Sequence, residues 1–113
     1  MSGFIKADAG KLRMDLLPPK ALAEVAKVLG VGAVKYAPNN WIKCDAWSRY
    51  FAALQRHLNA WHAGEDCDSD DGLPHLSHAA CCLLFLMEME RLGVGLDDRP
   101  KDDALRAMAK PKE

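Results

Sequence analysis

Along most of the chain, apolar positions recur every three or four residues, the rhythm of one buried face on a helix. The clearest run is "WSRYFAALQRHLNAW", which puts Trp47, Tyr50, Phe51, Leu54, Leu58 and Trp61 on one stripe. It predicts a helix N-capped by Asp45 and running to about Ala63, with Gly64 at its terminus and Trp47 and Trp61 in the core. Upstream, Pro18 and Pro19 suit a first helical turn. Leu22, Val25, Ala26 and Leu29 continue at helical spacing until Gly30 and Gly32 break the pattern softly. "PNNW", residues 38–41, reads as a turn. Downstream, Pro74 opens a third helix to about Leu92, whose "AACCLLFLMEM" is apolar nearly all round. Such a helix is expected at the centre of a bundle.

The two ends differ from the middle. Residues 1–17 look irregular, and residues 93–113 read as an exposed polar tail with a turn of helix over 102–109. Neither repeats nor strand alternation stand out. The predicted fold class is all-α, a three- to four-helix bundle confined to residues 1–92. A chain of 113 residues supports one modest core. With two apolar stripes to cover, homo-oligomerisation to a dimer or higher form is the expected completion.

Composition narrows the function classes. A net charge of -1 leaves no basic excess for a nucleic-acid polymer. The longest apolar run, Ala79 to Met87, is well short of the ~20 residues that span a membrane. With no signal-like start, the expected location is the cytoplasm. The cysteines (Cys44, Cys67, Cys81, Cys82) lack a disulfide framework, and Cys81 and Cys82 are expected as buried thiols.

Chemistry concentrates in "GEDCDSDDGLPHLSH", residues 64–78, which packs five carboxylates and two histidines ahead of the third helix. His75 and His78 share a helix face, Glu65 and Asp68 have the same spacing, and His57 lies two turns before Glu65. If the second and third helices pair antiparallel, these groups meet at one end of the hairpin. Carboxylates near a helix start also favour its dipole, so the acidic run alone is compatible with a solvated loop. The histidines tip the reading towards a divalent metal held by Glu65, Asp68, His75 and His78, with Asp70 or Asp71 as a further ligand. Magnesium or manganese lead, and imidazole admits cobalt or zinc. An EF-hand fails on register, because Asp71 and Ser77 stand where Gly and Glu are needed. A zinc set of Cys67, His75, His78 and Cys82 has no common structural spacing.

A second cluster is basic and aromatic: Lys35, Tyr36, Asn40 and Trp41, with Arg49 and Arg56 seven apart on the second helix. Beside a metal, such cations suit a polyphosphate, while an aromatic ring and an amide suit a base. Trp41 is equally compatible with plugging the corner between the first two helices.

Four blocks in order, "KLRMDLLPPKAL", "GAVKYAPNNW", "RYFAALQRHLNAW" and "GEDCDSDDGLPHLSHAACCLLFL", resemble a phage and prophage family of dATP/dGTP diphosphohydrolase-like proteins. That family is loosely grouped with the MazG-type all-α nucleotide pyrophosphatases. The resemblance spans residues 11 to about 90. It implies metal-dependent cleavage of a nucleoside triphosphate between its α and β phosphates, in a bacterial host cell. By matching position, Glu65, Asp68, His75 and His78 fall in the acidic and histidine block. Lys35, Tyr36, Asn40 and Trp41 fall in the "KY…NW" block, and Arg56 and His57 in the "RH" pair. The catalytic candidates are His57, to orient or deprotonate water, and Glu65. Lys35, Arg49 and Arg56 would offset phosphate charge. One departure is plain: MazG-type enzymes carry E-x-x-E before E-x-x-D, and here that stretch reads "RHLNAW". The alternative is a nucleotide-sequestering protein without hydrolysis. A helical dimer with a purely structural metal is a third reading.

Overall fold

Four helices form: α1 (Pro19–Lys35), α2 (Trp47–His62), α3 (His75–Leu92) and α4 (Asp102–Met108). The computed structural model describes residues 3–111, so the outermost two residues of the predicted irregular start and of the predicted tail lie outside the described residues. Among the described residues no strand forms, as the all-α expectation required.

Pro18 takes an extended conformation and Pro19 opens α1, where its missing N–H costs nothing. The predicted softening at Gly30 and Gly32 does not occur, because α1 runs unbroken to Lys35. Asn39 then adopts a left-handed conformation, and Asn40–Lys43 form a 3-10 turn that swings the chain into α2. The expected N-cap at Asp45 is corrected. Ala46 occupies that position, and the carboxylate capping α2 comes from Asp98, which accepts from the Ser48 N–H at 3.0 Å and from its hydroxyl. Asp45 pairs with Arg49 instead. Residues 94–98 thus run back along the start of α2. The Trp47 Nε1–H donates to the Val94 carbonyl at 2.8 Å, and Leu96 exchanges backbone hydrogen bonds with Trp47 and Asp45.

Helix α3 packs against both α1 and α2, which answers its all-round apolar surface. Among the described residues, six of the seven that are buried lie on it: His75, Ser77, Ala79, Cys81, Cys82 and Met89; the seventh is Val28 of α1. A three-helix layer leaves the rest of the stripes uncovered. Trp61, expected in the core, is 44% exposed, and Phe51 is 53% exposed. Leu76, Leu83 and Met87, spaced seven and four apart, form the α3 face opposite His78 and Phe85 and are all exposed.

The radius of gyration is 19.4 Å, against about 13 Å for a compact chain of this length. Residues 3–18 are exposed throughout.

Candidate metal centre and adjoining cleft

The loop joining α2 to α3 is built by its own acidic residues. Asp68 Oδ1 accepts from the Asp70 N–H at 2.8 Å, and Asp71 Oδ1 accepts from the Leu73 N–H at 2.9 Å. Gly72, at φ 72°, turns the chain so that its N–H reaches the Asp68 carbonyl at 2.7 Å. The Asp66 carbonyl then takes the His75 N–H and sets the start of α3. Each of these two aspartates has its second oxygen, Oδ2, facing an imidazole: Asp68 lies 3.9 Å from His57 Nδ1, and Asp71 2.9 Å from His78 Nε2.

The antiparallel hairpin brings three of the four histidines into contact. The ring of His57 stacks on His78, with centroids 4.6 Å apart and planes 5° apart. His57 Nδ1 lies 2.9 Å from His75 Nδ1, and His75 Nε2 lies 2.6 Å from Glu65 Oε1. With both rings neutral, a Glu65 carboxylate accepting from His75 Nε2–H would make His75 Nδ1 an acceptor for His57 Nδ1–H and leave the lone pair of His57 on Nε2. Burial, reinforced by the neighbouring His78 and His75, lowers the pKa of His57 and keeps its ring neutral. Burial works to raise the pKa of Asp71, but the Leu73 N–H and His78 outweigh it and hold the carboxyl below its usual value.

The donor set suits a divalent ion. Donor atoms of Asp68, Asp71 and His78 lie within 4.8 Å of one another, as do those of His57, Asp68 and His75. Carboxylate oxygens with a neutral imidazole are what magnesium, manganese or zinc accept.

This cluster forms one end of a cleft of about 820 Å³ between α1, α2 and α3. Lys35 and Arg56 line it together with Tyr36, Asn40 and Trp41. Trp41 stacks on Phe85, with centroids 5.9 Å apart and planes 13° apart, and Tyr50 leans on the same ring at 5.0 Å. The cleft therefore gathers Lys35, Tyr36, Asn40, Trp41, Arg56, His57, Asp68 and His78 from the sequence candidates. It does not gather Arg49, whose guanidinium reaches Asp45 at 3.3 Å and which is absent from the lining. Glu65 and His75 stand behind His57. Tyr50 and Phe85 were missed as cleft residues because they sit at core positions of their stripes; only the pairing of α2 with α3 exposes one edge of each.

Fold and site together define a small all-α protein with a cluster of carboxylates and imidazoles beside an aromatic cleft. The sequence model of the family described as dATP/dGTP diphosphohydrolase, N-terminal, matches residues 4–99, and the chain belongs to that family. The chain is 36% identical over 104 residues to a dATP/dGTP diphosphohydrolase of Salmonella phage PMBT28, a match covering 90% of this chain and 33% of the relative. It therefore spans about one third of that relative's length. No solved structure matches it significantly. No helix among the described residues is long and apolar enough to cross a membrane.

Proposed function

We propose that this chain hydrolyses purine deoxynucleoside triphosphates, such as dATP and dGTP, to the monophosphate and pyrophosphate in a metal-dependent reaction. The observation that carries this reading is that one cleft is lined by both the Asp68–Asp71–His78 group and the Trp41–Tyr50–Phe85 wall. Its volume falls within the roughly 300–1,000 Å³ of small-molecule sites. The name of the phage relative favours the same chemistry.

Asp68, Asp71 and His78 would hold the divalent ion. When bound, the ion supplies Lewis-acid polarisation of the phosphate oxygens and acidifies an attacking water. Spacing and the family resemblance placed Glu65 and His75 among the ligands, and their hydrogen bonds suit a second role. Glu65 fixes the His75 tautomer, His75 fixes that of His57, and His57 Nε2 accepts the proton of the water that attacks the α-phosphorus. Arg56 and Lys35 offset charge on the departing pyrophosphate. The aromatic wall holds the base, with Asn40 reading its edge.

The test is product analysis by ion-exchange chromatography after incubation with dATP, dGTP and pyrimidine counterparts in magnesium or manganese. Monophosphate with equimolar pyrophosphate is expected from the purine substrates. Intact nucleotide recovered after denaturing the protein would turn the assignment to sequestration.

A further inference from the structure

Residues 5–17 have the composition of a packed segment, yet their large apolar side chains are exposed. Ile5, Leu12, Met14 and Leu16 are 90, 84, 64 and 70% exposed. The backbone hydrogen bonds of this arm run between its own residues, from Asp8 to Lys6, Lys11 to Asp8, Met14 to Leu12 and Leu16 to Arg13. Yet the family match begins at residue 4, so the arm lies inside the family's own segment. A stretch this apolar takes a defined place only by packing on something.

Its own cleft is the wrong neighbour. Lys35, at the end of α1, feels Asp70 and Asp71, so the start of α1 lies at the far end from the ion-binding cluster. The arm continues outward from there, in a molecule 80 Å long. At about 3.3 Å per residue, thirteen residues reach some 43 Å, enough to cross a neighbouring bundle.

The cleft in turn lacks cations. Asp68, Asp70, Asp71 and Glu88 line it against Lys35 and Arg56 alone, although a triphosphate brings several more negative charges. The arm carries Lys6, Lys11 and Arg13. Asp15 grips Arg13 through Nε and Nη2 at 2.8 and 2.7 Å, which orients the guanidinium and leaves Nη1 pointing away. The rim offers apolar footing as well, with Val31 and Leu84 44 and 42% exposed and Val34 91% exposed beside them.

We infer that the arm of one chain lies across the cleft rim of a second copy, its apolar side chains on Val31, Val34 and Leu84, and delivers Lys11 and Arg13 to that copy's phosphate end. The cation supply rests on the nucleotide reading above; the docking does not.

Two measurements test it. Light scattering should give the full chain the mass of a dimer or larger assembly, and removal of residues 1–15 should lower that mass while helical circular dichroism persists. An unchanged mass would overturn the docking. For the delivery, a Lys11→Ala/Arg13→Ala chain and a His78→Ala chain should each lose at least ten-fold in dGTP turnover. Co-refolded in equal amounts, they should recover roughly a quarter of wild-type turnover, since half the dimers are mixed and each holds one intact site. No recovery, or full activity in the arm variant, would overturn delivery in trans. If the wild type assembles through the arm but hydrolyses nothing, only the hydrolase reading falls, and affinity for fluorescent dGTP in the same mixtures replaces turnover as the readout.

Discussion

Replacing Glu65 by Gln probes the chain of imidazoles behind the cleft. The carboxylate accepts from His75 Nε2–H at 2.6 Å, whereas a glutamine amide can donate to that nitrogen and stabilise the opposite tautomer. His75 would then present Nδ1–H to His57, and the lone pair of His57 would shift from Nε2 to Nδ1. General-base catalysis is worth about 10²–10⁴-fold, or about 2.7–5.4 kcal/mol. Glu65 is 56% exposed, so water and salt screen its contact, and the lower end applies: a loss in kcat of about 10²-fold. Ion binding should be unaffected, because Glu65 is outside the Asp68–Asp71–His78 group. The assay is steady-state turnover of dGTP across pH, paired with a manganese titration of the same preparation. Unchanged kcat would refute the relay. Loss of manganese together with activity would refute it differently, by returning Glu65 to the metal shell.

Three further outcomes follow from the packing and the titrating groups. Gly95 sits at φ 76°, and a Cβ there would lie 2.8 Å from the Met89 methyl and 3.1 Å from the Cys44 carbonyl. Gly95→Ala should therefore lower stability by about 2–4 kcal/mol in urea unfolding, backbone strain and overpacking acting together. Burial pushes the Cys81 thiol up to about 11 and raises that of Cys82, whereas Cys67 is exposed. Ellman's reagent at pH 8 should label Cys67 quickly and reach Cys81 and Cys82 only after unfolding. His57, lowered mainly by burial, refuses in the folded state a proton that the unfolded state binds below about pH 6.5. In EDTA the urea midpoint should fall as pH drops from 7.5 to 5.5, and a flat profile would contradict the neutral ring.

How much of this was legible beforehand depended on the range of each interaction. The helix spans were legible because period and punctuation are local: Pro19, Gly64, Pro74 and Gly93 bracket them to within a residue or two. The start of α2 was misread because its cap, Asp98, lies fifty positions from Ser48, and no short-range pattern announces such a partner. Gly30 and Gly32 did not interrupt α1, since contact with α3 outweighs a penalty of about 1 kcal/mol per glycine. The acidic run and its histidines pointed to a shared site, but who faces whom required the hairpin. His57 against His75, and Asp71 against His78, are register facts. Trp61 misled because a stripe says which face is apolar and not how much of it one chain can cover.

Manganese titration by isothermal calorimetry, on the wild type and on His78→Ala, goes to the root of the account. The wild type should bind at least one ion per chain through Asp68, Asp71 and His78, and His78→Ala should bind none at comparable concentration while retaining its helical signal. A wild type that takes up no divalent ion, or a variant that binds it equally well, would mean that these side chains serve only to shape the loop.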